Sequence, residues 1–104
     1  MSAASPNTVT CIVAGDLLST TAKPFREKVE QAMAAAAGNP LWTVLELDLR
    51  AARFIDSVGI NLIILLIRKM KERQGTVRVL VGNANLKRVL DYMRVNDHAE
   101  VVLG

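Results

Sequence analysis

Between Thr43 and Gln74 the chain changes its hydrophobic period, and that change limits the fold more than any other feature. Thr43-Val44-Leu45-Glu46-Leu47-Asp48-Leu49 alternates apolar and polar side chains, the period of a strand. A short turn follows. Then comes an apolar run from Ile60 to Ile67, broken by Asn61, that continues into Arg68-Lys69-Met70-Lys71-Glu72-Arg73. Taken alone, the apolar run also reads as a buried strand. Its unbroken continuation predicts one element over residues 59–74, a length that suits a helix and not a strand. Apolar side chains all round its first half require burial on several sides. Gly75 ends it.

The same alternation of periods covers the whole chain. Residues 8–14 are rich in β-branched types and read as a strand, ended by Gly15-Asp16. Ser19, Thr20 and Thr21 are N-cap candidates for a helix with Pro24 in its first turn. Ala22, Phe25, Val29 and Met33 follow at helical spacing, and Gly38-Asn39-Pro40 stops the run. The second strand is residues 42–49. Its inward side chains are either Trp42 and Val44 or Leu45, Leu47 and Leu49, and periodicity leaves both open. Residues 76–81 form a third strand. Asn83 or Asn85 caps a short helix to about Arg94, and residues 99–103 form a last strand. The order β-α-β-α-β-α-β predicts a single small α/β domain, a mostly parallel sheet with crossover helices packed on it. Residues 1–7 are expected to be a flexible tail and residues 8–104 the domain.

Composition removes several classes of function. A chain of 104 residues holds one hydrophobic core, and an apolar content of 51% excludes a disordered chain. The apolar run is far short of the roughly 20 residues of a membrane span. The start, Met1-Ser2-Ala3-Ala4-Ser5-Pro6, lacks the basic and apolar segments of a secretion signal, so a cytoplasmic location is expected. Cys11 and His98 are each the sole residue of their type, which leaves no disulfide and no ligand spacing for a metal. Residues 1–50 carry 4 basic and 5 acidic side chains, and residues 51–104 carry 9 and 5. Part of the excess lies on Arg68, Lys69, Lys71 and Arg73, where cations suit a helix end. Aromatic residues are few and no nucleic-acid motif is present, so a nucleic-acid partner is not expected.

The turn Phe54-Ile55-Asp56-Ser57-Val58-Gly59 carries most of the functional signal. It leads into a helix, where unpaired backbone N–H groups converge, so a phosphate on the Ser57 hydroxyl would be well received. Asp56 opposes this with a like charge. Gly59 has no Cβ and would let another backbone come close. Asp-Ser at a helix start is also a common cap pair, with Gly59 merely easing the turn. Asp16 reads equally as a turn residue or a partner contact, and Arg53 is expected to face water.

Across nearly its whole length the chain resembles the STAS family, and within it the small anti-sigma factor antagonists. The resemblance rests on Gly15-Asp16-Leu17, on Leu47-Asp48-Leu49, on Phe54-Ile55-Asp56-Ser57-Val58-Gly59, on Gly75, and on Asn85-Leu86-Lys87-Arg88-Val89-Leu90. It implies a phosphorylation switch and no enzyme, catalytic residue, metal or cofactor. Ser57 is the implied phosphoacceptor. Asp16, Leu18, Ser19, Thr20, Asp56, Val58, Gly59 and Asn61 are the implied partner-binding residues. The implied partners are an anti-sigma factor that is also a serine kinase of the GHKL ATPase type, and a PP2C-type serine phosphatase, with the free protein a monomer. Family acceptor turns often place a second hydroxyl residue beside the first, where Val58 stands here. Leu18 stands where the family often has aspartate, and Asn61 where it often has glycine. Both ends are shorter than in many relatives.

Three rival readings follow from the same residues. The first is a STAS subunit that docks on a transporter ATPase or signalling scaffold and is never phosphorylated. The second is an aspartyl-phosphate receiver, but Asp16 and Asp48 are not an adjacent acidic pair and no lysine follows the third strand. The third is a serine hydrolase, but Ser57 lacks the Gly-x-Ser-x-Gly elbow and His98 has no evident orienting acid.

Overall fold

The computed structural model describes residues 7–104. The elements are β1 (Thr8–Ile12), α1 (Ala22–Ala36), β2 (Val44–Leu49), α2 (Ser57–Glu72), β3 (Thr76–Val81), α3 (Ala84–Tyr92), a single 3-10 turn (Val95–Asp97) and β4 (Glu100–Leu103). All strand pairs are parallel and the sheet order is β1-β2-β3-β4. Of the expected tail, residues 1–6 lie outside the described residues. Asn7 belongs to the sheet region, because its carbonyl accepts from the N–H groups of Thr43 and Val44.

Sequential strand order with right-handed crossovers brings every helix to the same side of the sheet. Burial agrees. Cys11, Leu45, Leu47, Leu49, Val77, Val79 and Val81 lie in register on one face and are buried under the helices. They join Phe25 and Val29 of α1, Leu62, Ile63, Leu66 and Met70 of α2, and Leu86 and Leu90 of α3 in one core. The expected mostly parallel sheet with crossover helices packed on it is therefore present, with the described helices on one face. The other face carries Thr10, Glu46, Arg78 and Glu100 across four neighbouring strands. There the Arg78 guanidinium bridges Glu46 and Glu100, each at 3.1 Å.

Both candidate sets for the inward side of the second strand are partly right. Leu45, Leu47 and Leu49 enter the core. Trp42 is buried as well, just before the strand, with the Arg73 guanidinium 4.0 Å above its ring. Arg73 also donates to the Trp42 carbonyl at 2.9 Å, which ties the end of α2 to the start of β2. Element ends differ from the sequence reading by about two residues. The second helix starts at Ser57 rather than Gly59, because Asp56 caps it. The third ends at Tyr92, before Arg94 at φ 62° turns the chain. Asn83, not Asn85, caps it, its Oδ1 accepting from Leu86 N at 2.7 Å.

Candidate docking and phosphoacceptor site

Two aspartates hold the site together, each reaching into the other's loop. Asp16 follows β1, and its Oδ1 accepts from the backbone N–H of Arg53 at 2.8 Å and of Phe54 at 3.2 Å. Asp56 follows β2, and its Oδ2 accepts from Ser19 N at 2.8 Å while its Oδ1 accepts from Gly59 N at 3.0 Å. Between them, Leu17 N donates to the Phe54 carbonyl and Asp56 N donates to the Leu17 carbonyl, a short parallel bridge pairing Leu17 with Ile55. The loop after β1 and the turn before α2 thus form one unit. Thr21 finishes it. Its Oγ1 accepts from Leu18 N at 2.9 Å and donates to the Asp16 carbonyl at 2.7 Å. Thr21 is the first-helix cap residue, but its hydroxyl serves this loop and not the helix.

Ser57 sits on that frame as the first residue of α2, exposed. Its hydroxyl makes no hydrogen bond among the described residues. Phe54 and Val58 of the same turn are exposed apolar residues, 66% and 44% exposed. Ser19, Thr20 and Asn61 are exposed nearby, and Leu18 is half-buried. The free N–H groups that the sequence reading offers a phosphate are in part already taken. The N–H groups of Gly59 and Ser19, and to a lesser degree that of Val58, hold the Asp56 carboxyl below its ordinary range. A phosphate on Ser57 would therefore gain little from the helix start and would project outward.

Three of the implied contact residues have internal contacts of their own. Gly59 is buried, and the backbone that comes close to it is the chain's own. A Cβ there would lie 2.4 Å from the Leu17 carbonyl oxygen and 2.8 Å from Ile55 Cγ1. Its lack of a side chain serves loop closure and does not open a path for another protein. Asp16 is half-buried, with its Oδ1 turned to the N–H groups of Arg53 and Phe54, as the turn reading expects. Asp56 likewise directs both oxygens inward. Of the implied contact residues, Ser19, Thr20, Val58 and Asn61 are exposed and Leu18 is half-buried, and Ser57 and Phe54 are exposed beside them in the chain. The sequence signal for Phe54 was an aromatic residue in the turn between the second strand and the second helix.

One ion pair that the sequence reading did not draw lies close behind. The Arg50 guanidinium grips Asp48 through two bonds, at 3.0 and 2.8 Å, and Arg50 N donates to the same carboxyl. Arg50 thereby pulls the buried Asp48 carboxyl below its ordinary range. This clamp shapes the bend after β2. Cys11 is buried, and burial pushes its thiol up. His98 is exposed, its Nδ1 3.1 Å from Lys71 Nζ. Among the described residues, no three His, Cys, Asp or Glu side chains cluster as a metal site would require. No helix there is long and apolar enough to cross a membrane.

Solved structures share this fold. A candidate anti-sigma factor antagonist from Thermotoga maritima, TM1081, superposes with a TM-score of 0.79 at 17% identity, over 94% of this chain and 80% of that one. The anti-sigma factor antagonist SpoIIAA in its unphosphorylated form superposes with a TM-score of 0.69 at 16% identity, over 99% of this chain and 86% of that one. At such identities the likeness is one of fold. Among curated proteins, none matches the sequence significantly. The family profile described as "Mlab, STAS domain" matches residues 1–103. The chain belongs to the STAS domain family.

Proposed function

We propose that this domain is a protein-binding module switched by phosphorylation of Ser57. In its unmodified form it binds an anti-sigma factor that is also a serine kinase, and so releases a sigma factor or another client. Phosphorylation of Ser57 ends the binding, and a PP2C-type phosphatase restores it. The observation that carries this reading is an exposed, unengaged hydroxyl at the start of α2, beside the exposed Val58, on loops cross-tied by Asp16 and Asp56. A dianion of roughly −1.5 to −2 charges placed there leaves the fold intact, because nothing packs on it. A partner packed over Phe54 and Val58 would have to desolvate that charge, which costs far more than it returns unless it is paired. The module performs no chemistry of its own.

Incubation with a candidate kinase and ATP, followed by mass spectrometry, tests this directly. One added phosphate on Ser57 is expected. Ser57→Ala should fold, bind the kinase and accept none, while Ser57→Asp should fold and bind poorly. Phosphate on the alanine variant at the parent level refutes the acceptor assignment.

Membership of the STAS domain family, and helix-start N–H groups already engaged by Asp56, are equally compatible with a second reading. In it the same surface docks a transporter ATPase or scaffold without any covalent step. The two readings separate in the same experiment, since the second predicts no phosphate on Ser57 with any partner kinase.

A further inference from the structure

Beside Ser57 the surface between α1 and α2 is hollow, with a volume of about 280 Å³. Ala22, Val58, Leu62 and Leu65 give it an apolar floor. Ala22 contributes only a methyl group where the two helices approach. Lys23 and Arg26 stand on the α1 rim, and Asn61 stands on the α2 rim. Neither cation is in an ion pair among the described residues, and no carboxylate lines the groove. Glu27 lies outside the lining, and Glu30 is held by Lys69 at 2.9 Å. From Val58 to Leu65 the helix rises about 10 Å, or two turns.

We infer that this groove receives an acidic amphipathic helix of the partner protein, its apolar stripe on Leu62 and Leu65 and its carboxylates on Lys23 and Arg26. The inference rests on the reading above, that this face docks a protein. Both walls are helices, whose backbone groups are already paired. An extended segment laid between them would leave its own N–H and C=O groups unpaired, whereas a helix brings them satisfied. Apolar anchors one and two turns apart match a floor two turns long. The two unpaired cations set the sign of the visitor's charge. Ser57 is one turn before Asn61 on the same face of α2, so it stands at the mouth of the groove. A phosphate there repels the incoming carboxylates, which gives the switch its direction.

The test is a titration of the isotope-labelled full chain with two synthetic helices of about 15 residues. Both carry the same leucine stripe, one with glutamates elsewhere and the other with lysines. The glutamate helix is expected to shift the amides of Val58, Asn61, Leu62 and Leu65, and to bind about ten-fold tighter than the lysine helix, with the gap closing as salt rises. Lys23→Glu with Arg26→Glu, two exposed positions, should keep a dispersed spectrum and invert the preference. Equal binding of both helices overturns the inference. So do shifts confined to another face, or tighter binding of phosphatidylglycerol vesicles than of the glutamate helix. Ser57→Asp in the same titration reads the switch separately. A several-fold weaker glutamate helix supports both ideas, and an unchanged affinity with the groove occupied contradicts the phosphate reading alone.

Discussion

At the scale of single residues, Ser57 is defined by what surrounds it. The hydroxyl is free because Asp56 caps the helix in its place. Gly59 makes that cap possible by leaving room for the Leu17 carbonyl. Gly59→Ala is therefore expected to destabilise the domain by roughly 1–3 kcal/mol, the usual range for overpacking. Gly15→Ala is the control. Nothing lies within 4 Å of the Cβ it would add, and among the described residues no glycine has a positive φ, so its midpoint in urea should be unchanged. Equal losses for the two variants would contradict the packing account. A polar break at Asp56 and Ser57 before the apolar helical run was legible in the sequence, though not which of the two caps the helix. The position of Gly59 was not. A sequence gives no sign of which backbone stands opposite a glycine, and the neighbour here comes from Leu17, forty-two residues earlier. Asp16 was undecidable for the same reason.

At the scale of elements, α2 depends on a cap that also ties down another loop. The carboxyl of Asp56 is held low by backbone N–H groups, chiefly those of Gly59 and Ser19. That of Asp48 is held low chiefly by Arg50. A depressed folded pKa means stability that is complete above the unfolded value, about 3.9 for aspartate, and that drains as pH falls from there through the folded values. Urea midpoints should thus be flat from neutral pH to about pH 4–5 and then drop, with the midpoint read at each pH. Asp56→Asn separates the two roles of this residue. Asparagine caps well through its single oxygen, so α2 should persist. It has no second acceptor for Ser19, so the Ser19 amide should exchange faster and the acid drop should be shallower. A loss of α2 in circular dichroism, or an unchanged acid drop, would count against this division of labour. Element order and type were readable because each strand and helix keeps its own period. The ends were not, since Asp56 reads as turn or cap until its acceptor geometry is known.

At the scale of the whole molecule, a parallel sheet covered on one side puts its stability on that side. Leu47→Ala, in the middle of the covered face, should cost about 2–5 kcal/mol. Arg78→Met, on the bare face, should cost about 1 kcal/mol or less despite breaking two ion pairs, because half-exposed pairs are worth little. Chemical denaturation of the two variants decides this, and the reverse order would place the core wrongly. The parallel order was legible in the alternation of strands and helices. The face that carries Glu46 and Arg78 was signalled too. Strands buried on both faces read as continuous apolar runs, whereas Leu45-Glu46-Leu47-Asp48-Leu49 and Val77-Arg78-Val79 alternate. The site sits at one end of this layered body, where loops after β1 and β2 meet, so its chemistry can change without disturbing the core. The most direct test compares the parent chain with one carrying phosphoserine at position 57, by amide spectrum and by affinity for the partner kinase. Amide shifts confined to residues near 16–20 and 54–62, with affinity reduced on the order of 100-fold or more, are what this mechanism requires. Undiminished affinity, or a spectrum rearranged through the sheet, would contradict it.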